Sequence, residues 1–265
     1  MSNTSDLGPR TNIRPTRITI GVLNSGLEDQ YQTSMLYGAI ATAQEQDVNL
    51  IVYCGGELDS PVKDRVNGNV IYDLATDPTI DAMVLFTGTL TGFVGPERQQ
   101  EFCAQYHVPL VSIGISLLDA HNVLLDNAVG MRAAVSHLID VHGYRRIAFI
   151  QGPEGNEEAE ARFQAYVDTL EAYTVPYDPQ LVVRGAFQFA DGAAAVHILL
   201  DERKVAFDAI VGANDNMTIG ALDELQKRAI SVPEQIAVLG FDDIEDAFQQ
   251  LRFYCGDSGG IREYA

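Results

Sequence analysis

The stretch AVGMRAAVSHLIDVHGYRRIAFIQG, residues 128–152, decides the fold. Ala128–Val141 reads as a helix that stops at His142-Gly143, where a glycine just past the last turn accepts the backbone conformation that ends helices. Arg146–Ile150 follows as a short apolar run, which reads as a buried strand. A helix feeding directly into a strand of this kind is half of a parallel α/β unit.

The same alternation extends in both directions. Towards the N-terminus, Arg17–Leu23 is a β-rich run ending at Asn24-Ser25-Gly26, and a helical pattern covers Thr33–Gln46. Asn49–Tyr53 is the next strand and Lys63–Ala75 the next helix. Asp81–Phe86 is a buried-type strand followed by a glycine-rich loop, a helix at Pro96–Tyr106, and strands at Pro109–Ile113 and Asn122–Leu125. Towards the C-terminus, helix Glu157–Tyr173, strand Leu181–Val183, helix Asp191–Leu200, strand Ala209–Val211, helix Met217–Arg228 and strand Ile236–Leu239 repeat the rhythm. The expected fold class is therefore α/β, with two doubly wound parallel-sheet lobes and a ligand cleft between them. The lobes span 17–126 and 127–247, after a polar, Pro-containing lead-in at 1–16.

Composition narrows the function. The 265 residues carry 37 acidic and 17 basic side chains, a formal net charge of −20, which repels a phosphate backbone. The local basic groups, Arg10, Arg14 and Arg17 and the pair Arg145-Arg146, make no nucleic-acid surface by themselves. No apolar run reaches membrane-spanning length and the N-terminus has no signal-peptide pattern. Three widely spaced cysteines (54, 103, 255) read as reduced, so the chain is placed in the cytoplasm. No cofactor is expected: no GxGxxG follows a strand, no GxxxxGK[ST] occurs, and the five histidines lack metal-ligand spacing. Gly256-Asp257-Ser258-Gly259-Gly260 matches the string around a trypsin-like nucleophile, but that chemistry needs an all-β fold and a positioned histidine and aspartate.

In open α/β sheets ligands sit beyond the carboxyl ends of the strands. That singles out the polar residues just after them, among them Asn24-Ser25, Gly88-Thr89, Gly114, Asp126-Asn127, Gly152-Pro153, Asn214-Asp215 and Asp242-Asp243.

Four strings together resemble the effector-binding domain of the lactose-repressor/galactose-repressor (LacI/GalR) family, whose fold is that of type I periplasmic sugar-binding proteins. They are ITIGVLNS (18–25), VLLDNAVGMRAAVSHLIDVHGYRRIAFIQGPEG (123–155), ARFQAYVDTL (161–170) and AIVGANDNMTIGALDELQKRAISVPEQIAVLGFDDIEDA (209–247). The resemblance implies that Arg162 holds ligand hydroxyls in the cleft, that Asn214 and Asp242 make further polar contacts, and that Phe187 packs on the sugar face. From the first lobe it implies Asn24, Ser25 and Tyr31. These residue types suit a sugar: planar Arg, Asn and Asp groups engage vicinal hydroxyls, and an aromatic ring takes the C–H face. Each has a structural reading beside it. Asp242 caps the following segment, Phe187 belongs to the core, or Arg162 pairs with glutamates on its own helix.

The resemblance also implies a homodimer, and a sensor that does not turn its ligand over. The family's helix-turn-helix headpiece has no counterpart here, so DNA contact is not carried over. The reading expects a trimmed repressor or a sensor with another output domain. A solute-binding protein of a sugar transporter and an α/β enzyme acting on a sugar are the alternatives. The tail, residues 248–265, breaks the alternation and resembles no core element. A back-translation shifted by one nucleotide restores a strand-like string, so the tail reads as frame-shifted or truncated.

Overall fold

The computed structural model describes residues 17–28, 30–61 and 63–244, together with the backbone of 253–255 and 261–263. The lead-in at 1–16 and the GDSGG string lie outside the described residues.

The first lobe is built on β1 (Thr19–Asn24), β2 (Asn49–Cys54), β3 (Ala82–Leu85), β4 (Leu110–Ile113) and β5 (His121–Val123). They pair in the order β2-β1-β3-β4-β5, all in parallel. The intervening helices are α1 (Gln30–Glu45), α2 (Lys63–Asn67), α3 (Thr87–Leu90) and α4 (Pro96–Cys103). The second lobe holds α5 (Asn127–Asp140), β6 (Ile147–Gln151), α6 (Glu157–Ala172), β7 (Val182–Arg184), α7 (Phe189–His197), β8 (Ala209–Gly212), α8 (Asp215–Lys227) and β9 (Ala237–Phe241). Its order, β9-β8-β6-β7, reproduces the arrangement of the first sheet, with the chain reversing direction across the sheet between β6 and β8. Both sheets therefore have a topological switch point, β1/β3 in one and β6/β8 in the other, and crevices open at such points.

The strands of the second lobe are buried along their whole length in β6, β8 and β9, as expected of a sheet covered by helices on both faces. One continuous apolar cluster runs from Met131 through Phe149, Tyr166 and Val211 to Phe241. The first lobe divides its core over two clusters, one around Leu23, Tyr72 and Met83 and one around Val22, Leu36 and Phe86. Side-chain caps fix where the helices of the second lobe start. Asp126 accepts from Val129 N (3.1 Å), Asn156 from Ala159 N (2.9 Å) and Asn214 from Met217 N (3.1 Å).

Three sequence expectations need correction. Lys63–Ala75 is not one helix: α2 ends at Asn67 and a 3-10 segment, Gly68–Thr76, continues the chain. The glycine and the β-branched residues that follow weaken an α-helix there. The helix expected over Asp191–Leu200 spans Phe189–His197 and then widens into a π turn, Ile198–Glu202, where Arg203 N reaches Ile198 O at 2.9 Å. The tail does contribute to the sheet. β10 (Phe253–Cys255) pairs in parallel with β9, and β11 (Ile261–Glu263) pairs antiparallel with β10. A strand needs only backbone donors and acceptors in register, which the missing apolar alternation does not reveal. The remaining residues of 248–265 lie outside the described residues.

Candidate functional site

A cavity of about 570 Å³ opens between the two lobes, at the carboxyl ends of both sheets. The lobe-one side is formed after β1 by Ser25, by Tyr31 and Gln32 on α1, and by Thr89 and Phe93 around α3. Glu57, Asp64 and Arg65 close it from the segment after β2. The lobe-two side is formed by Asn156, Glu158 and Arg162 on α6, Phe187 and Gln188 after β7, Asn214 at the head of α8 and Asp242 after β9.

Arg162 organises the lobe-two wall. Only 3% of it is exposed. Its Nε donates to Asn127 Oδ1 (2.7 Å), and its Nη1 donates to Ala213 O (2.6 Å) and Asp242 Oδ1 (3.1 Å). Nη2 lies 3.9 Å from Glu158 Oε1, and the guanidinium carbon is 4.1 Å from the centroid of the Phe241 ring. A planar five-donor group suits this fork of partners, which the compact ammonium of a lysine does not span. Four segments distant in sequence (α5, α6, the end of β8 and the end of β9) are thus tied to one charge.

Phe187 stands beside this hub in a left-handed conformation, φ 63°, uncommon for a bulky residue. Its loop is held from both sides. Asp191 Oδ2 accepts from Ala186 N (2.7 Å) and Gln188 N (3.0 Å), and Asn214 Nδ2 donates to the Phe187 carbonyl (3.2 Å). A methyl group on Gly152 would lie 2.5 Å from the Phe187 ring, so that glycine makes the ring's place. Asp242 is also strained, at φ 120°. Outliers of this kind persist where the surroundings over-determine them, and they concentrate at ligand sites.

Behind the wall, Asp215 is fully buried, with Oδ2 accepting from Ile244 N (3.0 Å). Burial pushes its carboxyl up to about 7, against the lowering effect of backbone N–H groups of Ile244 and Asp243. Among the described residues no group of three or more His, Cys, Asp or Glu side chains is placed to hold a metal ion, and no helix is long and apolar enough to cross a membrane.

Six of the seven residues singled out in the sequence line one cavity: Ser25, Tyr31, Arg162, Phe187, Asn214 and Asp242. Asn24 does not. It is fully buried, its Nδ2 donating to Gly26 O (2.7 Å), and it shapes the turn that presents Ser25. One structural reading holds at the same time as the cleft placement: Arg162 does pair with Glu158 on its own helix, and Asn214, besides lining the cleft, caps α8. Sequence reasoning missed Glu57, Asp64 and Arg65. The strand-end rule reaches Glu57, which follows β2 by three residues. Glu158 and Asn156 carried a signal too, lying one turn or so before Arg162.

The two-lobed architecture has counterparts among known proteins. A family profile described as a periplasmic binding protein-like domain matches residues 135–252. The HTH-type transcriptional regulator AscG of Escherichia coli K12 is 29% identical over 225 residues, 84% of this chain and 63% of the relative. The transcriptional repressor CytR of the same organism is 31% identical over 182 residues, 65% of this chain and 49% of the relative. The chain thus spans between about half and two thirds of these curated relatives. Among solved structures, a transcriptional regulator CelR–cellobiose complex superposes with a TM-score of 0.74 at 26% identity, covering 91% of this chain and 73% of that one. A sugar-binding LacI-family regulator from Escherichia coli, complexed with phosphate, gives 0.67 at 27% identity over 89% of this chain and 83% of that one. In sequence and in architecture, the two lobes described here are similar to those of LacI-family regulators and of periplasmic-binding-protein-like domains.

Proposed function

We propose that this domain is the effector sensor of a LacI-type transcriptional regulator, acting in the cytoplasm, and that it closes its lobes around a sugar or sugar-like ligand without transforming it. The observation that carries the reading is the pairing of a buried, fully supported Arg162 with a strained Phe187 on one wall of a cavity that both lobes build. A ligand touching both walls binds the closed arrangement better than the open one and so shifts the balance between them. That the CelR neighbour is a cellobiose complex supports a carbohydrate as the class of ligand. The polar groups of the wall are committed to each other in a fixed array, which suits recognition rather than proton transfer.

The proposal includes pairing of two copies. Val66, Val70 and Leu74, 37%, 70% and 64% exposed, are apolar side chains on the first lobe that a second chain would cover. A sedimentation mass of one chain would remove that part.

The effector reading is tested by thermal unfolding against a panel of sugars, sugar phosphates, nucleosides and purines. A ligand held at about 100 times its dissociation constant adds about 2.7 kcal/mol, a rise of roughly 5–10 °C for a domain of this size. Phe187→Ala, which leaves the Arg162 network in place, is expected to abolish the rise for the active compound. A rise of equal size in that variant, or none for any compound, would contradict the proposal.

A further inference from the structure

We infer that the cavity takes uncharged polyhydroxyl effectors and rejects their phosphorylated and carboxylated counterparts; this rests on the effector reading above. Five carboxylates (Glu28, Glu57, Asp64, Glu158 and Asp242) line the cavity against two guanidinium groups, Arg65 and Arg162. Both cations are already committed. Arg65 Nη1 is bonded to Glu57 Oε1, and Arg162 is bound to Asp242 with Glu158 alongside.

The other devices that hold anions are used up as well. A helix N-terminus attracts negative charge, but the first turn of α6 already carries Glu157, Glu158 and Glu160. The cap positions of α6 and α8 accept from their own backbone through Asn156 and Asn214. An arriving phosphate or carboxylate therefore finds excess negative charge and no uncommitted cation. A hydroxyl meets the opposite situation. Glu57 lines the cavity, and its Oε2 is buried with no hydrogen-bond partner among the described residues, so it is an acceptor waiting for a donor. Leaving such an atom unmatched is costly, and a ligand hydroxyl satisfies it where a phosphate oxygen repels it.

The test is isothermal titration with matched sets: glucose, glucose 6-phosphate and glucuronate; galactose, galactose 6-phosphate and galacturonate; cellobiose and cellobionate. The expected result is binding of at least one neutral member, with its anionic counterparts at least about 100-fold weaker. The double variant Glu28→Gln, Asp64→Asn is expected to narrow that gap at least tenfold, and so is raised salt. An anionic member binding as tightly as its neutral parent would overturn the inference and leave the effector reading standing. So would a gap unchanged by the double variant. If no member of any set binds, the effector reading falls and the inference falls with it.

Discussion

Arg162 shares one guanidinium among Asn127, Ala213, Asp242 and Glu158, so removing it takes the cation away from two largely buried carboxylates. Breaking a buried pair by deleting one partner costs about 3–5 kcal/mol. Arg162→Ala is expected to lower the chemical-denaturation free energy by that amount. A loss under about 1 kcal/mol, the worth of an exposed pair, would contradict the network. Asp215 makes a pH prediction. Its native pKa is raised from 3.8 to about 7, so the native state holds a proton that the unfolded chain has released. Its contribution to stability is therefore full at low pH and is lost as pH rises through that window. Relative to wild type, Asp215→Asn is expected to gain stability between pH 4 and pH 7, as read from parallel unfolding curves. A difference constant across the window would refute it. The polar residues at the strand ends were legible in the sequence because their positions follow from topology. The commitments among them were not, since Asn127 and Ala213 lie 35 and 51 residues from Arg162.

At the scale of elements, the closest packing lies between α7 and α8. A methyl on Gly220 would stand 1.9 Å from Phe189 O, and one on Gly192 would stand 1.9 Å from Met217 O. Alanine ordinarily favours a helix interior over glycine by about 1 kcal/mol. Here the obstacle is backbone, which cannot swing aside, and overpacking costs about 1–3 kcal/mol or more. Gly220→Ala is thus expected to destabilise, with a lowered midpoint in thermal unfolding; an unchanged or raised midpoint would contradict the contact. Strands and long helices were legible because apolar runs and their spacing report burial directly: β6, β8 and β9 sit within a residue or two of where the sequence put them. The 3-10 segment at Gly68–Thr76 and the π turn at Ile198–Glu202 were not, because local hydrogen-bond register leaves little trace in hydrophobic spacing. Strand pairing by Phe253–Cys255 was likewise invisible, since its backbone and not its residue pattern makes the ladder.

For the molecule as a whole, two sheets of the same topology bring their switch points to one cavity, and the chain of 265 residues needs both lobes to build it. The resemblance seen in four strings extended to the full two-lobed fold because those strings contain strand ends and helix starts, the parts that topology constrains most. In the proposed sensor one ligand is gripped from both sides. Amide hydrogen exchange with and without the compound that raises the unfolding temperature reads this grip. Slowed exchange is expected in both walls together, over residues 25–28 and 30–32 after β1 and over residues 186–188 and 214–217 in the second lobe. Protection confined to one lobe, or lying away from the cavity, would contradict it.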